Sequence, residues 1–384
     1  MKKYTFTVLI ALLTALFFSV LPTASSDGEI YTEKEISKPV VSALSACVIE
    51  CETDSVLYEK ASKKVLPMAS TTKIMTAIVV IENLPQDRVV TVSDEAVGIE
   101  GSSIYLCKGE RFSVEELLYA LMLESANDAA CALAIEAGGN IEKFVEMMND
   151  KAASLGLTST HFTNPHGLSD DNHYTTAHDL ARLMSYCMKN EDFAKITSTK
   201  KLALKGSDDS YSRLLVNHNK LLSSFEGITG GKTGFTKSAG RCLVSVCERN
   251  GVKLCAVTLN APNDWNDHKD MFSYGFTLCK RITLEGAGQF EYSSFVCGGT
   301  SDTVTAHTRE DITATVKTDG CELKRIVYMR RFYYPDIKEG QIIGCIIYKC
   351  GNNTVAEAPL YADFAVGYAN DERGFFEKIK DLIL

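Results

Sequence analysis

Positive charge is in short supply. The 384 residues hold 40 Lys and Arg against 49 Asp and Glu, a formal charge of −9, with a pI of about 5.4. Such a chain has no overall attraction to polyanions, so a nucleic-acid partner is not expected. Beyond the N-terminus no run reaches about 18 uncharged apolar residues, which argues against a second membrane span. None of the 13 cysteines stands in C-x-x-C spacing, and no Cys/His cluster has zinc-ligand spacing. His161, His166, His173 and His178, four of the seven histidines, lie in or beside a Pro/Gly loop at intervals that fit no zinc pattern. A phosphate loop is missing too: Gly231-Lys232-Thr233 would need glycine five residues before Gly231, and Glu226 stands there. Neither a metal nor a cofactor is expected. What remains is ordinary globular composition, 45% hydrophobic and 23% charged, with length enough for about two domains.

The first 24 residues read as a targeting segment. Lys2 and Lys3 precede an uncharged apolar stretch from Tyr4 to Val20, and Leu21-Pro22-Thr23-Ala24 supplies a breaker and small residues. That is the pattern of a secretory signal peptide cleaved between Ala24 and Asp27, with an uncleaved anchor as the alternative. Either way the rest of the chain is expected outside the cytoplasm, at the extracellular face of the cytoplasmic membrane or in the cell wall. Thirteen cysteines cannot all pair within one chain, and most sit in apolar runs. They read as small buried hydrophobes, which suggests a reducing or anaerobic setting.

After a linker over residues 25–39 the hydrophobic pattern gives strands at Val40–Glu50 and Ser55–Tyr58. A helix begins near Ser70 and ends at Asn83–Pro85, apolar nearly all round and so expected to be buried. Two helices follow within residues 113–138, opened by the capping-box pair Ser113 and Glu116. Further helices are expected at Ile141–Leu155 and Thr176–Asn190. From Lys201 the period shortens to that of strands, and Asn250-Gly251 marks a hairpin. Trp265–Leu284 reads as a closing helix. This order predicts an α+β unit over residues 40–284, an antiparallel sheet flanked by helices, with N- and C-terminal strands sharing it. Residues 285–369 read as a small all-β domain, with strand-like runs at Val304–Val316, Leu323–Met329, Gln341–Lys349 and Thr354–Tyr361. In the tail, 370–384, Phe375, Phe376, Ile379, Leu382 and Ile383 recur at helical spacing, as in an interfacial amphipathic helix.

Three short motifs carry chemistry. In Ser70-Thr71-Thr72-Lys73 the serine and lysine share a helix face, so a hydroxyl that needs a base meets an amine that burial can make one. Ser125-Ala126-Asn127 lies between two apolar helices, where a hydroxyl and an amide could face a cleft. Lys232-Thr233-Gly234 lies in a run with Gly227, Gly230 and Gly231, glycines that suggest close approach of a ligand or another backbone. Each has a plainer explanation alone: a capped helix with a solvated lysine, an N-cap, a glycine-rich turn.

Taken together and in this order, the motifs resemble the penicilloyl-serine transferase superfamily. Within it the chain is most similar to the D-alanyl-D-alanine carboxypeptidases, the low-molecular-weight penicillin-binding proteins. Val56-Leu57-Tyr58, His161 to Leu168, Thr176 to Leu180 and Asn217 to Leu222 add to the likeness. The resemblance implies a β-lactamase/transpeptidase-like domain followed by the small β domain and tail. It implies that Ser70 attacks the carbonyl between the terminal D-alanines of a peptidoglycan stem peptide while Lys73 takes its proton. The backbone N–H groups of Ser70 and Phe235 would form the oxyanion hole. Ser125 would protonate the departing D-alanine and Asn127 would orient the substrate or Lys73. Lys232 and Thr233, beside Gly234, would hold the terminal carboxylate, with Thr236 nearby. His218 stands where related enzymes often carry an arginine, which leaves the second carboxylate anchor open. β-Lactams would acylate Ser70, and the tail would touch a membrane surface. A β-lactamase, or an endopeptidase acting on cross-linked peptidoglycan, is the alternative. Against the former stand Ser-Ala-Asn in place of Ser-Asp-Asn and the extra β domain.

Overall fold

The computed structural model describes residues 37–205, 212–320 and 322–369. The targeting segment and the amphipathic tail lie outside these. Every element below belongs to one compact unit that begins at Lys38.

Strands β1 (Ser45–Glu50) and β2 (Val56–Lys60) open the fold. A 3₁₀ turn, Ala69–Thr72, leads into α1 (Lys73–Asn83), and the short pair β3 (Val89–Thr91) and β4 (Arg111–Ser113) follows. Next come α2 (Val114–Leu123), α3 (Asn127–Gly138), α4 (Ile141–Ser154), α5 (Ala177–Cys187) and α6 (Glu191–Ser198). Then follow β5 (Lys201–Lys205), β6 (Ser212–Val216), the single turn α7 (Leu221–Ser224), β7 (Ile228–Thr236), β8 (Gly240–Arg249), β9 (Val252–Leu259) and α8 (Asp264–Leu278).

Five of these strands make one antiparallel sheet in the order β2-β1-β9-β8-β7, so the first and last of the five in chain order, β1 and β9, pair in its interior. β1 is buried along its whole length because helices cover both faces. Its alternate residues go opposite ways, as a strand requires. Cys47 and Ile49 join the core shared with α1 to α6, while Ala46 and Val48 pack with Met271 and Phe272 of α8. α1 is the central helix its all-round apolar sequence predicts, buried from Lys73 to Val80. α2 starts with the expected capping box between Ser113 and Glu116.

Three elements differ from the sequence reading. The closing helix stops at Leu278, and Cys279–Glu285 is a strand, β10, paired with β13 (Ile312–Lys317). Ile282 and Thr283 are β-branched and suit the extended state. Arg281 also ties this stretch back, reaching the Glu52 carboxylate at 2.6 Å. The run Val304–Val316 is two strands, β12 (Thr303–His307) and β13, separated by Thr308–Asp311. α6, unforeseen, is held by its Asn190 cap and by Phe193 and Ile196 in the core.

The β region adds β11 (Tyr292–Val296), β14 (Leu323–Met329), β15 (Phe332–Tyr333), β16 (Ile342–Cys350) and β17 (Asn353–Ala362), in a sheet ordered β14-β16-β17-β12-β11-β15. Its core includes Val304, Ile346, Leu360 and Val366. Glu285, buried beside it, accepts hydrogen bonds from the Tyr292 and Tyr348 hydroxyls at 2.9 and 3.0 Å. Among the described residues Cys350 is disulfide-bonded and eleven cysteines are free thiols. Burial pushes the Cys47 and Cys51 thiols up to about 12, so they stay protonated and behave as apolar groups. No helix among the described residues is long and apolar enough to cross a membrane.

Candidate active site

Ser70 sits in the 3₁₀ turn rather than at the start of regular helix. Ala69 before it is left-handed, φ 49°. The Thr71 and Thr72 hydroxyls donate to the Met68 and Ala69 carbonyls at 2.6 and 2.8 Å, which pins the turn. Glycines press on it from two sides. A Cβ on Gly167 would lie 2.0 Å from the Ala69 oxygen, and one on Gly234 would lie 2.9 Å from the Ser70 nitrogen. The glycine run in β7 therefore serves close backbone approach, as its composition suggested.

Lys73 is fully buried at the first turn of α1. Its Nζ lies 3.0 Å from Ser70 Oγ, 2.7 Å from Asn127 Oδ1 and 2.5 Å from the His166 carbonyl oxygen. Burial holds its pKa well below the ordinary lysine value; the Lys232 charge pushes it further down, and Cys131 and Asp128 oppose. A neutral amine has two N–H bonds and one lone pair. Asn127 and His166 offer only acceptors here and take the N–H bonds, which leaves the lone pair for the Ser70 hydroxyl proton. The His166 carbonyl is delivered by the loop 164–168, where Asn164 Oδ1 accepts from Gly167 N–H at 2.7 Å. Thr76 Oγ1 donates to the Pro165 carbonyl at 2.6 Å. In the sequence this loop stood out as part of the segment His161 to Leu168 that adds to the likeness. That it presents a carbonyl to the lysine was invisible, because backbone groups leave no residue signature. Burial drops the His166 imidazole to about 3, so it is neutral. Among the described residues no group of three or more His, Cys, Asp or Glu could hold a metal ion.

Ser125 is left-handed, φ 60°, and 4% exposed. Among the described residues its Oγ has no hydrogen-bond partner. It is not an N-cap, the plainer alternative: α3 begins after Ala126 with no side-chain cap. Asn127 also donates from Nδ2 to the Glu100 carbonyl at 2.5 Å. Next to it, fully buried Asp128 accepts from Ser103 Oγ, Ile104 N and Leu106 N at 2.6, 3.3 and 2.9 Å, fastening the 102–106 segment to α3.

On β7, Lys232 is 1% exposed and burial lowers its pKa to about 7. Its Nζ donates to the Thr233 carbonyl at 2.9 Å. Ser70, Ser125, His218, Thr233, Gly234 and Phe235 line one cleft of about 360 Å³. Lys73, Asn127 and Lys232 lie buried behind it. Thr236 is not on that wall; its hydroxyl accepts from Ala239 N–H at 3.0 Å and caps the turn after β7. His218 is half-exposed, 3.3 Å from the Glu124 carboxylate. Ser102, Lys220, Arg241, Asp264 and Trp265 line the same cleft. The three motifs did not point to them; Lys220 lies in the segment Asn217 to Leu222 noted for its likeness, and the others come from segments with no recognisable pattern.

An acyl-transfer type of site on an α+β sheet defines the class, and comparison with known proteins narrows it. Residues 32–263 match the family described as D-alanyl-D-alanine carboxypeptidase, peptidase S11, and residues 285–368 match the penicillin-binding protein 5 C-terminal domain. The D-alanyl-D-alanine carboxypeptidase DacF of Bacillus subtilis is 32% identical over 372 residues, covering 94% of each chain. The crystal structure of penicillin binding protein 5 from Haemophilus influenzae superposes with a TM-score of 0.65 at 27% identity, covering 86% of this chain and 99% of that one. The Streptomyces K15 DD-transpeptidase structure matches at 35% identity and TM-score 0.60, covering 63% of this chain and 100% of that one. The chain belongs to the D-alanyl-D-alanine carboxypeptidase family, peptidase S11. It is a hydrolase of that family, and the β-lactamase alternative is not the reading these matches favour.

Proposed function

We propose that the protein removes the terminal D-alanine of a peptidoglycan stem pentapeptide by serine catalysis. Ser70 is the nucleophile and Lys73 its base. What carries the reading is the fully buried Lys73 Nζ at 3.0 Å from Ser70 Oγ, with its other two partners both acceptors. Lys73 takes the Oγ proton as Oγ adds to the carbonyl carbon. The oxyanion lies against the Ser70 and Phe235 N–H groups, each such donor being worth about 3–4 kcal/mol. Ser125, which lines the same cleft as Ser70 and has no hydrogen-bond partner among the described residues, passes a proton to the departing D-alanine nitrogen as the C–N bond breaks. Asn127 holds Lys73, and Thr233 with Lys232 receives the terminal carboxylate. Water then cleaves the ester and restores Ser70. β-Lactams, which mimic the terminal dipeptide, acylate the same oxygen.

The work is done outside the cytoplasm, on the strength of the N-terminal sequence. The tail's spacing supports contact with a membrane surface. The test is mass spectrometry after incubation with penicillin, together with release of D-alanine from a pentapeptide. The expected result is one adduct on the peptide containing Ser70, none in Ser70→Ala, and D-alanine released only by the former. An adduct that survives in Ser70→Ala refutes the assignment.

A further inference from the structure

A substrate that ends in a carboxylate needs a cation in the cleft. Lys232 is buried and loses its proton near neutrality. His218 faces the Glu124 carboxylate. Arg241 is placed differently. It is the second residue of β8, directly opposite Phe235, and Thr233 stands two residues before Phe235 on β7. Side chains directly opposite each other, and those two apart on one strand, share a sheet face. Arg241 and Thr233 are thus diagonal neighbours, a separation of about 7–8 Å that long side chains bridge. Both line the cleft that holds Ser70.

The guanidinium is held from behind. Its Nη2 donates to both Asp264 oxygens at 2.8 and 2.9 Å. Asp264, 3% exposed, is fixed at the first turn of α8 and also accepts from the Trp265 backbone N–H at 2.9 Å. The Trp265 ring lies 5.6 Å from the guanidinium carbon. The Arg241 side chain is 43% exposed, and among the described residues its Nε and Nη1 make no hydrogen bond. An arginine clamped by one nitrogen, with its other donors free in a cleft, is built to receive a planar anion.

We propose that Arg241, positioned by Asp264 and Trp265, is the specificity-determining cation that takes the substrate's terminal carboxylate together with the Thr233 hydroxyl. The proposal rests on the reading of Ser70 as nucleophile. It gives Arg241 the task left open at His218.

The test uses the full chain and two substrates, diacetyl-L-lysyl-D-alanyl-D-alanine and its C-terminal carboxamide. Arg241→Gln is expected to lower kcat/KM for the free acid about 10- to 100-fold, the range for a lost charge-assisted hydrogen bond. The carboxamide should stay within about twofold, mainly a KM matter. Arg241→Lys should recover part of the loss, since it restores charge without the planar fork. Asp264→Asn should raise KM for the acid and leave kcat. His218→Gln should keep the wild-type preference for acid over amide. Equal losses on both substrates in Arg241→Gln, no loss, or collapse of the preference in His218→Gln would overturn the proposal. Penicillin labelling separates the two readings. A labelled wild-type chain whose preference survives Arg241→Gln sinks the anchor alone, whereas a chain that takes no label sinks the nucleophile and the anchor with it.

Discussion

The turn that carries Ser70 is gripped by two glycines, and a single methyl on either should loosen it measurably. A Cβ on Gly234 would stand 2.9 Å from Ser70 N, 3.1 Å from Thr71 N and 3.2 Å from Ala69 Cβ. Ordinary contact begins at 3.4 Å, so something must move by about 0.5 Å. The turn cannot retreat. Behind it are Ile74 and Met75, fully buried, and Gly167, whose own α-carbon side already meets the Ala69 carbonyl. The give must come from β7, an edge strand with β8 as its one neighbour in the sheet. Overpacking of this kind costs about 1–3 kcal/mol. A displacement of this size at reacting atoms lowers the rate by about 10-fold or more, given about 100-fold for 1 Å. We therefore expect Gly234→Ala to fold, to lose about 1–3 kcal/mol in urea unfolding, and to be acylated by penicillin at least about 10-fold more slowly. Gly167→Ala should be worse on both counts. Its methyl meets backbone at 2.0 Å and its φ of +89° disfavours any L side chain. Stopped-flow acylation with a fluorescent penicillin and parallel urea melts decide the matter. A Gly234→Ala protein that acylates at the wild-type rate with wild-type stability would show that the turn is not clamped.

Two further predictions concern protons. The pH profile of kcat/KM should fall on the acid side as Lys73 gains a proton and on the alkaline side from about 7 as Lys232 loses one and binds the carboxylate less well. Lys232→Met removes a charge that disfavours protonated Lys73, so the acid limb of penicillin acylation should move to higher pH; an unmoved limb contradicts the coupling. His268 is fully buried between Ser245 Oγ and Thr258 Oγ1, with its pKa pushed down to about 3. The unfolded chain takes up this proton below about 6.5 while the folded one does not, so stability falls as pH drops through that window, by about 2 kcal/mol at pH 5. Urea midpoints from pH 7 to 5 should shrink in the wild type and shrink less in His268→Gln; equal slopes would be evidence against it.

The parts of the site legible in the sequence are those built from side chains at fixed local spacing. Ser70 and Lys73 three residues apart, Ser125 with Asn127, and Lys232 with Thr233 all converge on Ser70 or the wall behind it. What escaped notice is made of backbone or of long-range packing. The His166 carbonyl on Lys73, Asp128 fastening the 102–106 segment, and Arg241 with Asp264 each depend on chain paths that no single stretch encodes. The resemblance placed Thr236 near the carboxylate, and its hydroxyl also accepts from Ala239 N–H in the turn after β7. The fold followed the same rule. Strong periods gave α1, α2 and the β8–β9 hairpin, while Cys279–Glu285 went wrong because a short, half-apolar run after a helix can extend it or pair elsewhere. Its partner, β13, lies some 30 residues on.

The meeting of β1 with β9 has a consequence for how the protein comes into being. Glu50 lies opposite Leu254, so the centre of the sheet is absent until about two hundred residues after β1 have been synthesised. β7 reaches the sheet only through β8 and β9, and its Gly234 is one jaw of the clamp on Ser70. Assembly governed by such distant pairings is slow. If Ser70 is the nucleophile proposed above, it is expected to become competent only once the far end of its domain has docked, so that a partly made chain carries the serine without the reactivity.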